Sequence, residues 1–278
     1  MQNPVFLFRQ RAAIQLLPTP NSSDNKARRG RSLLLAGSSE YPGAGVLAAR
    51  AALRMGSGYV MLAQPHINIS SLENPDFLLC DLEKVDWQKL KFDAILVGPG
   101  FGVNDFTASV IQSLKKMNHT KVIVDADALT VCAQKDLFPL PSTWIATPHA
   151  GELARCLKIS SDEVDQDRRG SVILARKKMG CVVLLKGHHT LVRGPSKTYQ
   201  VMSGNSALAK AGTGDVLAGV ITALRAQGLS ALKAALLGAY VHGACANLWT
   251  ARKKDPLSMM ASDVIELLPE VISKLRSL

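Results

Sequence analysis

The chain of 278 residues is short of several things, and each shortage removes a class of function. No apolar run reaches the roughly 18 residues that a membrane-spanning helix needs. Five cysteines (Cys80, Cys132, Cys156, Cys181 and Cys245) are scattered, odd in number and never spaced C-x-x-C. That excludes a zinc ribbon or a disulfide framework and points to a reducing compartment, so a cytoplasmic location is expected. The N-terminus "MQNPVFLFRQRAAIQLLPTP" has no charged stretch ahead of its apolar residues, so it does not read as a secretory signal. There is no internal repeat, no Walker loop G-x-x-x-x-G-K-[ST] and no dinucleotide fingerprint in a first βα turn. Acids are few against bases, 22 to 33, which leaves a net charge of +11. Clusters at "KARRGR" (from Lys26) and "RKK" (from Arg176 and from Arg252) carry much of it. Aromatics are only 5 % and none interleaves with those clusters, which argues against nucleic acid as the main partner.

What is present is a 47 % hydrophobic content, enough for a substantial core, and a regular alternation of elements. Residues 1–30 read as an irregular lead-in rich in turn formers, and residues 31–278 as one domain. "RSLLLAG", "GYVMLAQ", "FDAILVG", "KVIVDA", "STWIATP" and "CVVLLKG" are expected strands. The last shows no polar alternation, as suits a strand covered on both faces. Helices are expected from Gly43 to Gly56, near 104–117, in "GELARCLKI" and in "DRRGSVILARKKMG". "HTLVRGPSKTYQVM" reads as a hairpin turning at Gly194-Pro195, and three helices follow from Gly212 to the end. The fold class is therefore α/β, with a mostly parallel central sheet flanked by helices on both faces. Two small-residue helices, from Gly43 and from Ser230, are either oligomer contacts or ordinary core.

In such a sheet the ligand site lies at the carboxyl ends of the strands. Four loops fall there: "GSSEYPGA", "GPGFG", "TPHAGE" and "KGHHT". A fifth segment, "GNSALAKAGTGDVLAGVI", puts Asp215 directly after Gly212-Thr213-Gly214 where a helix begins. Unpaired first-turn amides and the macrodipole make that turn an anion site. Asp215 reads either as a base beside the anion or as a helix cap. His149 reads as a ligand contact or a structural hydrogen-bonder. Glu152 reads as a holder of a metal-bound water or a first-turn acid favoured by the dipole. Lys186 reads as a phosphate contact or a strand-end side chain reaching solvent.

With "GSSEYPGAGVLAARAALRMGSGYV", "VGPGFG", "VDADAL", "ATPHAGELAR", "LLKGHHTLV" and "GNSALAKAGTGDVLAGVI" in this order, the chain resembles the ADP/ATP-dependent NAD(P)H-hydrate dehydratases, free-standing bacterial type, of the ribokinase-like fold. The resemblance runs from about residue 25 to about residue 275. It implies metabolite repair: hydrated NADH or NADPH is phosphorylated on its ring hydroxyl, phosphate leaves, and the double bond returns, with AMP released from ADP. By the same resemblance Asp215 is the base, and Ala44, Gly102, His149 and Asp215 line the hydrate site. Lys186, Gly187, His188, His189 and Thr190, with Gly214, hold the nucleotide. Gly212, Thr213 and Gly214 form the anion loop, and Mg²⁺ bridges the phosphates; the resemblance assigns no metal ligand, and Glu152 stays a candidate through water. The resemblance further implies ADP over ATP and the S epimer of the hydrate; a homo-oligomer with a tetramer among the options is expected, and composition leaves no membrane or nucleic-acid partner expected. The dehydratase motifs begin near residue 37, so epimerisation is expected of a separate epimerase. Ser206, Leu208, Lys210 and Ala211 depart from the family pattern and touch the shape and charge of the anion loop. A small-molecule kinase of a vitamin-precursor alcohol and a basic nucleic-acid binder on an old enzyme fold are the competing expectations.

Overall fold

Strand β2 (Arg31–Leu35) shows how the core is divided: Leu34 faces one hydrophobic cluster while Leu33 and Leu35 face another. A strand buried on both faces reads as an unbroken apolar run, which is the pattern of "LLL" here. The computed structural model describes residues 4–65, 76–84 and 86–278. Its first elements are β1 (Val5–Phe8), α1 (Gln10–Ile14), β2, α2 (Pro42–Arg54), β3 (Tyr59–Gln64), β4 (Leu78–Asp81), β5 (Ala94–Val97) and α3 (Asp105–Lys116). Then follow β6 (Val122–Val124), α4 (Ala126–Gln134), β7 (Ile145–Ala146), α5 (Ala150–Leu157), α6 (Ser161–Gln166), α7 (Arg168–Met179) and β8 (Val182–Leu185). The chain ends with β9 (Leu191–Arg193), β10 (Thr198–Val201), α8 (Thr213–Ala226), α9 (Ala231–Ala251) and α10 (Ala261–Arg276).

Among the described residues the strands form one ten-stranded sheet in the order β1-β10-β9-β8-β7-β6-β5-β2-β3-β4. Its pairings are parallel except those of β9 with β8 and β10, so the expected mostly parallel α/β sheet is the one observed. From β2 the chain moves outward through β3 and β4, then returns to build β5, β6, β7 and β8 on β2's other side. The switch point therefore lies between β2 and β5, where open α/β sheets leave a crevice.

One correction concerns the N-terminus. Residues 1–3 lie outside the described residues, but the rest of the supposed irregular lead-in carries β1, paired in parallel with β10 in the register Val5↔Thr198 to Phe8↔Val201. Phe8 is buried and meets the Tyr240 ring edge-on at 6.0 Å. An open edge of β10 would leave backbone groups unpaired, and β1 covers them. A four-residue strand whose partner lies some 190 residues away leaves little local signal.

Helices α2, α8, α9 and α10 cover one face of the sheet, and α3, α4, α5 and α7 the other. The two small-residue helices are core. Ala48, Ala49, Ala51 and Ala52 of α2 are fully buried. A Cβ placed on Gly219 of α8 would sit 2.1 Å from the Ala48 carbonyl oxygen. Only glycine allows that backbone approach. It fixes α8 along the sheet, with its N-terminus at the strands' carboxyl ends.

Candidate active site

The turn before α8 is held open by glycine and tied down from behind. Gly212 is the N-cap at φ +87°, and a Cβ there would lie 2.7 Å from Leu47 Cδ1. The Thr213 hydroxyl faces the Leu208 and Lys210 carbonyl oxygens at 2.9 and 2.8 Å and donates back into the loop. His242, on α9, is buried, and burial lowers its pKa to about 4. It is therefore neutral at pH 7, and its Nε2–H donates to the Thr213 carbonyl at 2.9 Å. The first helical bond of α8 runs from Val216 N to Gly212 O, 3.1 Å, so the amides of Gly214 and Asp215 precede it and face outward.

Asp215 is the third residue of α8. Burial and the neighbouring Asp125 charge push its pKa up to about 7; Lys186 acts against them, and Asp127 and Glu152 with them. Among the described residues no hydrogen bond to its carboxylate is formed, and α8 has no side-chain cap. A carboxylate whose pKa lies near neutrality, unused by the local backbone, is poised to accept a proton.

Lys186 leaves the end of β8, where its amide donates to Pro148 O at 2.8 Å. Its Nζ lies 2.8 Å from Asp125 Oδ1 and 3.7 Å from Glu152 Oε2. Burial by itself would lower this lysine, but Asp125, Glu152 and Asp215 outweigh it, so its pKa is raised and it is charged. A Cβ placed on Gly214 would be 3.5 Å from Nζ, which puts the ammonium against the glycine turn. Glu152 is shifted upward by burial and by Asp125, against Lys186. Its Oε2 accepts the His149 amide at 2.8 Å, while His149 Nδ1 accepts from Gly151 N and Glu152 N at 3.0 and 3.3 Å. That reciprocal arrangement is a capping box with histidine as the cap.

The remaining loops meet this cluster in a row. Gly37 N donates to Pro99 O at 2.7 Å, joining the loops after β2 and β5. Gly98 has φ +128°, and a Cβ there would fall 1.9 Å from Asp125 O, so only glycine fits. Gly102 N donates to Asp127 Oδ2 at 2.9 Å. A cavity of about 620 Å³ opens beside Gly102, with Ser38, Glu40, Phe101, Asn104 and Phe106 on its walls. Ala44 stands across from Gly100, 3.0 Å from where a Cβ there would sit.

The structure thus gathers Asp215, Gly214, Lys186, Glu152 and His149, and places Ala44 in the first turn of α2 and Gly102 in the loop after β5. Among the described residues His188, His189 and Thr190 make no hydrogen bond to that cluster. Thr190 Oγ1 donates to Gly187 O at 3.1 Å, and His189 Nδ1 is 3.0 Å from Gln200 Nε2. Lys186 does not reach solvent as a strand-end lysine would; carboxylates hold it. Three residues were missed from sequence. Asp125 and Asp127 stand in "VDADAL", whose strand-end acid was the available signal. Arg168 had none: its NH2 donates to Lys186 O at 3.0 Å, and it ion-pairs with Asp165 at 2.9 Å, bracing the loop from α7.

A parallel α/β sheet with a glycine-and-acid turn at its carboxyl edge, facing a lysine–carboxylate cluster, defines an enzyme of the ribokinase-like class. The model of the NAD(P)H-hydrate dehydratase family matches residues 32–270, and the chain belongs to that family. It is 34 % identical to a bifunctional NAD(P)H-hydrate repair enzyme of Moorella thermoacetica, a match covering 93 % of this chain and 52 % of that one. It is 32 % identical to an ADP-dependent (S)-NAD(P)H-hydrate dehydratase of Listeria monocytogenes, covering 81 % and 82 %. The crystal structure of a Bacillus subtilis ADP/ATP-dependent NAD(P)H-hydrate dehydratase, co-crystallised with ATP and Mg²⁺, superposes with a TM-score of 0.84 at 29 % identity, covering 98 % and 99 %. The chain spans about half the length of the bifunctional relatives it matches.

Proposed function

We propose that this chain dehydrates the S epimer of hydrated NADH or NADPH at the expense of a nucleoside di- or triphosphate, with ADP preferred. The observation that carries the reading is the Asp215 carboxylate: raised to about 7, in no hydrogen bond among the described residues, and one residue beyond the Gly214 amide. In the proposed reaction Asp215 accepts the proton of the ring hydroxyl as that oxygen takes the phosphoryl group. The Gly214 and Asp215 amides and the α8 dipole face the charge on the transferring oxygens. Phosphate then departs with the C–O bonding pair while the adjacent ring carbon gives up a proton to it or to water, and the ring double bond re-forms, leaving NAD(P)H, phosphate and the shortened nucleotide. Lys186 neutralises Asp125 and Glu152, which limits the upward push on Asp215.

Among the described residues no three His, Cys, Asp or Glu side chains are grouped to cage a metal. Such a donor set suits Mg²⁺ carried mainly by phosphates and water, which takes one or two carboxylates. Asp125 and Glu152 would hold it there, through water, and it would supply charge neutralisation at the phosphates. The test supplies hydrate with ADP and with ATP separately and follows absorbance in the NADH band. Recovery of the band with stoichiometric phosphate supports the reading. A stable phosphorylated product without recovery would make the chain a kinase of the same fold. With a mixed hydrate, a fast phase ending when one epimer is consumed supports selectivity for S; one fast phase to completion contradicts it.

A further inference from the structure

The basic stretch "KARRGR" plays no part in the site above, and it lines a second cavity, of about 430 Å³, at the opposite end of the sheet. This cavity sits at the amino ends of β2, β3 and β5. Arg31 opens β2 and is paired in register with Tyr59, which opens β3; Ser32 is paired with Ala94 of β5, two residues beyond Phe92. At about 3.3 Å per strand residue, the five residues of β2 set it some 17 Å from the carboxyl-end loops.

Its lining combines two chemistries. Tyr59 and Phe92 lie with ring centroids 6.4 Å apart and planes at 41°, giving a half-buried aromatic floor with Met61 and Leu90 beside it. Around that floor stand Lys26, Arg31 and Lys91. The facing carboxylate, Asp93, accepts from Arg31 N at 2.8 Å and Arg31 Nε at 3.2 Å, which orients the guanidinium. Among the described residues Lys26 and Lys91 have no ion-pair partner. The cavity therefore carries a surplus of positive charge over an aromatic surface.

Backbone packing makes the frame stiff. A Cβ on Gly58 would meet Lys26 O at 2.1 Å, and one on Gly30 would meet the Ala226 backbone at 2.4 Å. The loop from Lys26 to Arg31 is thereby pressed between the start of β3 and the end of α8. Pockets of this size with a few convergent polar groups are the usual form of a small-ligand site. Stacking on the rings is favourable for any planar heterocycle, and the cations suit phosphate.

We propose that this amino-end cavity is a second binding site, for a phosphorylated planar heterocycle of nucleoside-monophosphate size. The ring lies on Tyr59 and Phe92, and the phosphate meets Lys26, Lys91 and the free face of Arg31. The site stands independently of the dehydratase reading.

The test is calorimetry with AMP, adenosine and inorganic phosphate on the full chain and on Lys26→Glu/Lys91→Glu. The expected result is one AMP fewer per chain in the double variant, with AMP at that site bound more than roughly tenfold more weakly. Melting curves and the dehydratase assay are expected to match those of the unaltered chain. Lys91→Ala serves as the milder variant should the double one not fold, and it is expected to weaken the same AMP. An unchanged AMP stoichiometry and affinity in a folded variant overturns the proposal. So does phosphate alone binding there as tightly as AMP, since the rings then contribute nothing. A salt-sensitive RNA shift lost in the variant, without AMP binding, also overturns it. If the catalytic site does not bind AMP, the counts become one and zero, so the two readings fail separately.

Discussion

Helices α5 and α8 each carry an acid at their third residue, Glu152 and Asp215, and the two acids have different fates. Glu152 folds back onto the His149 amide and completes a capping box. Asp215 follows a glycine cap with no side chain to reciprocate, and its carboxylate stays clear of the backbone. Glu163 of α6 and Asp263 of α10 stand at the same helical position and behave like Glu152: their oxygens accept the Ser160 and Met260 amides at 2.9 and 2.7 Å. Position three of a helix thus does not separate a cap from a base. The N-cap does. At φ +87° Gly212 turns the chain so that the acid faces the Lys186–Asp125 cluster instead of its own first turn.

The largest effect should come from Asp215→Asn. Turnover is expected to fall by roughly 10²–10⁴, the usual worth of a general base. Stability should move the other way. Asp215 has a folded pKa of about 7 against an unfolded value of 3.8. The native state therefore binds the extra proton between those values, and the stability this contributes is lost as pH rises through about 7. Asparagine removes the buried charge, so the variant should melt higher than the parent at pH 8. Near-normal turnover in this variant would return Asp215 to the role of a cap.

Next in size is the pH profile. Catalysis through ionised Asp215 should rise with pH through about 7 in kcat/KM. Lys186→Met removes the charge that holds Asp215 down, so the rise should move to higher pH and kcat near pH 7 should drop. Glu152→Gln removes a charge that pushes Asp215 up, so its rise should move slightly lower, while the amide oxygen still accepts from His149. Shifts in the same direction in both variants would break the electrostatic account.

Gly212→Ala places a Cβ in the left-handed region and against Leu47. A stability loss of about 1–2 kcal/mol is expected from chemical denaturation, with turnover reduced through the displaced turn. The smallest effect belongs to His149→Ala, which loses the cap of α5 and about 1 kcal/mol. If His149 also touches the hydrate, KM for the hydrate will rise as well; a stability change alone would confine it to capping.

The five cysteines bear on handling more than on mechanism. All are buried and free, and burial pushes the Cys132 thiol far above its ordinary value and those of Cys156, Cys181 and Cys245 up to about 12. None is a reactive thiolate at neutral pH. Among the described residues no helix is long and apolar enough to cross a membrane.

The sequence by itself determined the layered α/β class, because runs such as "LLL" and "VVLL" can be satisfied only between two helical layers. It also determined the glycine-and-acid turn at a helix start, because that chemistry is local: glycine for the positive φ, open amides behind it, and an acid in the first turn. Four short elements, β1, α1, β4 and α6, left too few residues for a period to show, and the nine-residue α4 also went unread. Only the tertiary structure decided what each acid does. Asp125 lies 90 positions before Asp215, and Lys186 lies 29 before it, so their mutual distances depend on strand order and not on spacing in the chain. Strand order brings β6 and β8 to either side of β7, and with them the carboxylate that takes up the Lys186 charge and raises Asp215. The partner of a charge in low dielectric sets its pKa, and no local stretch of sequence contains that partner.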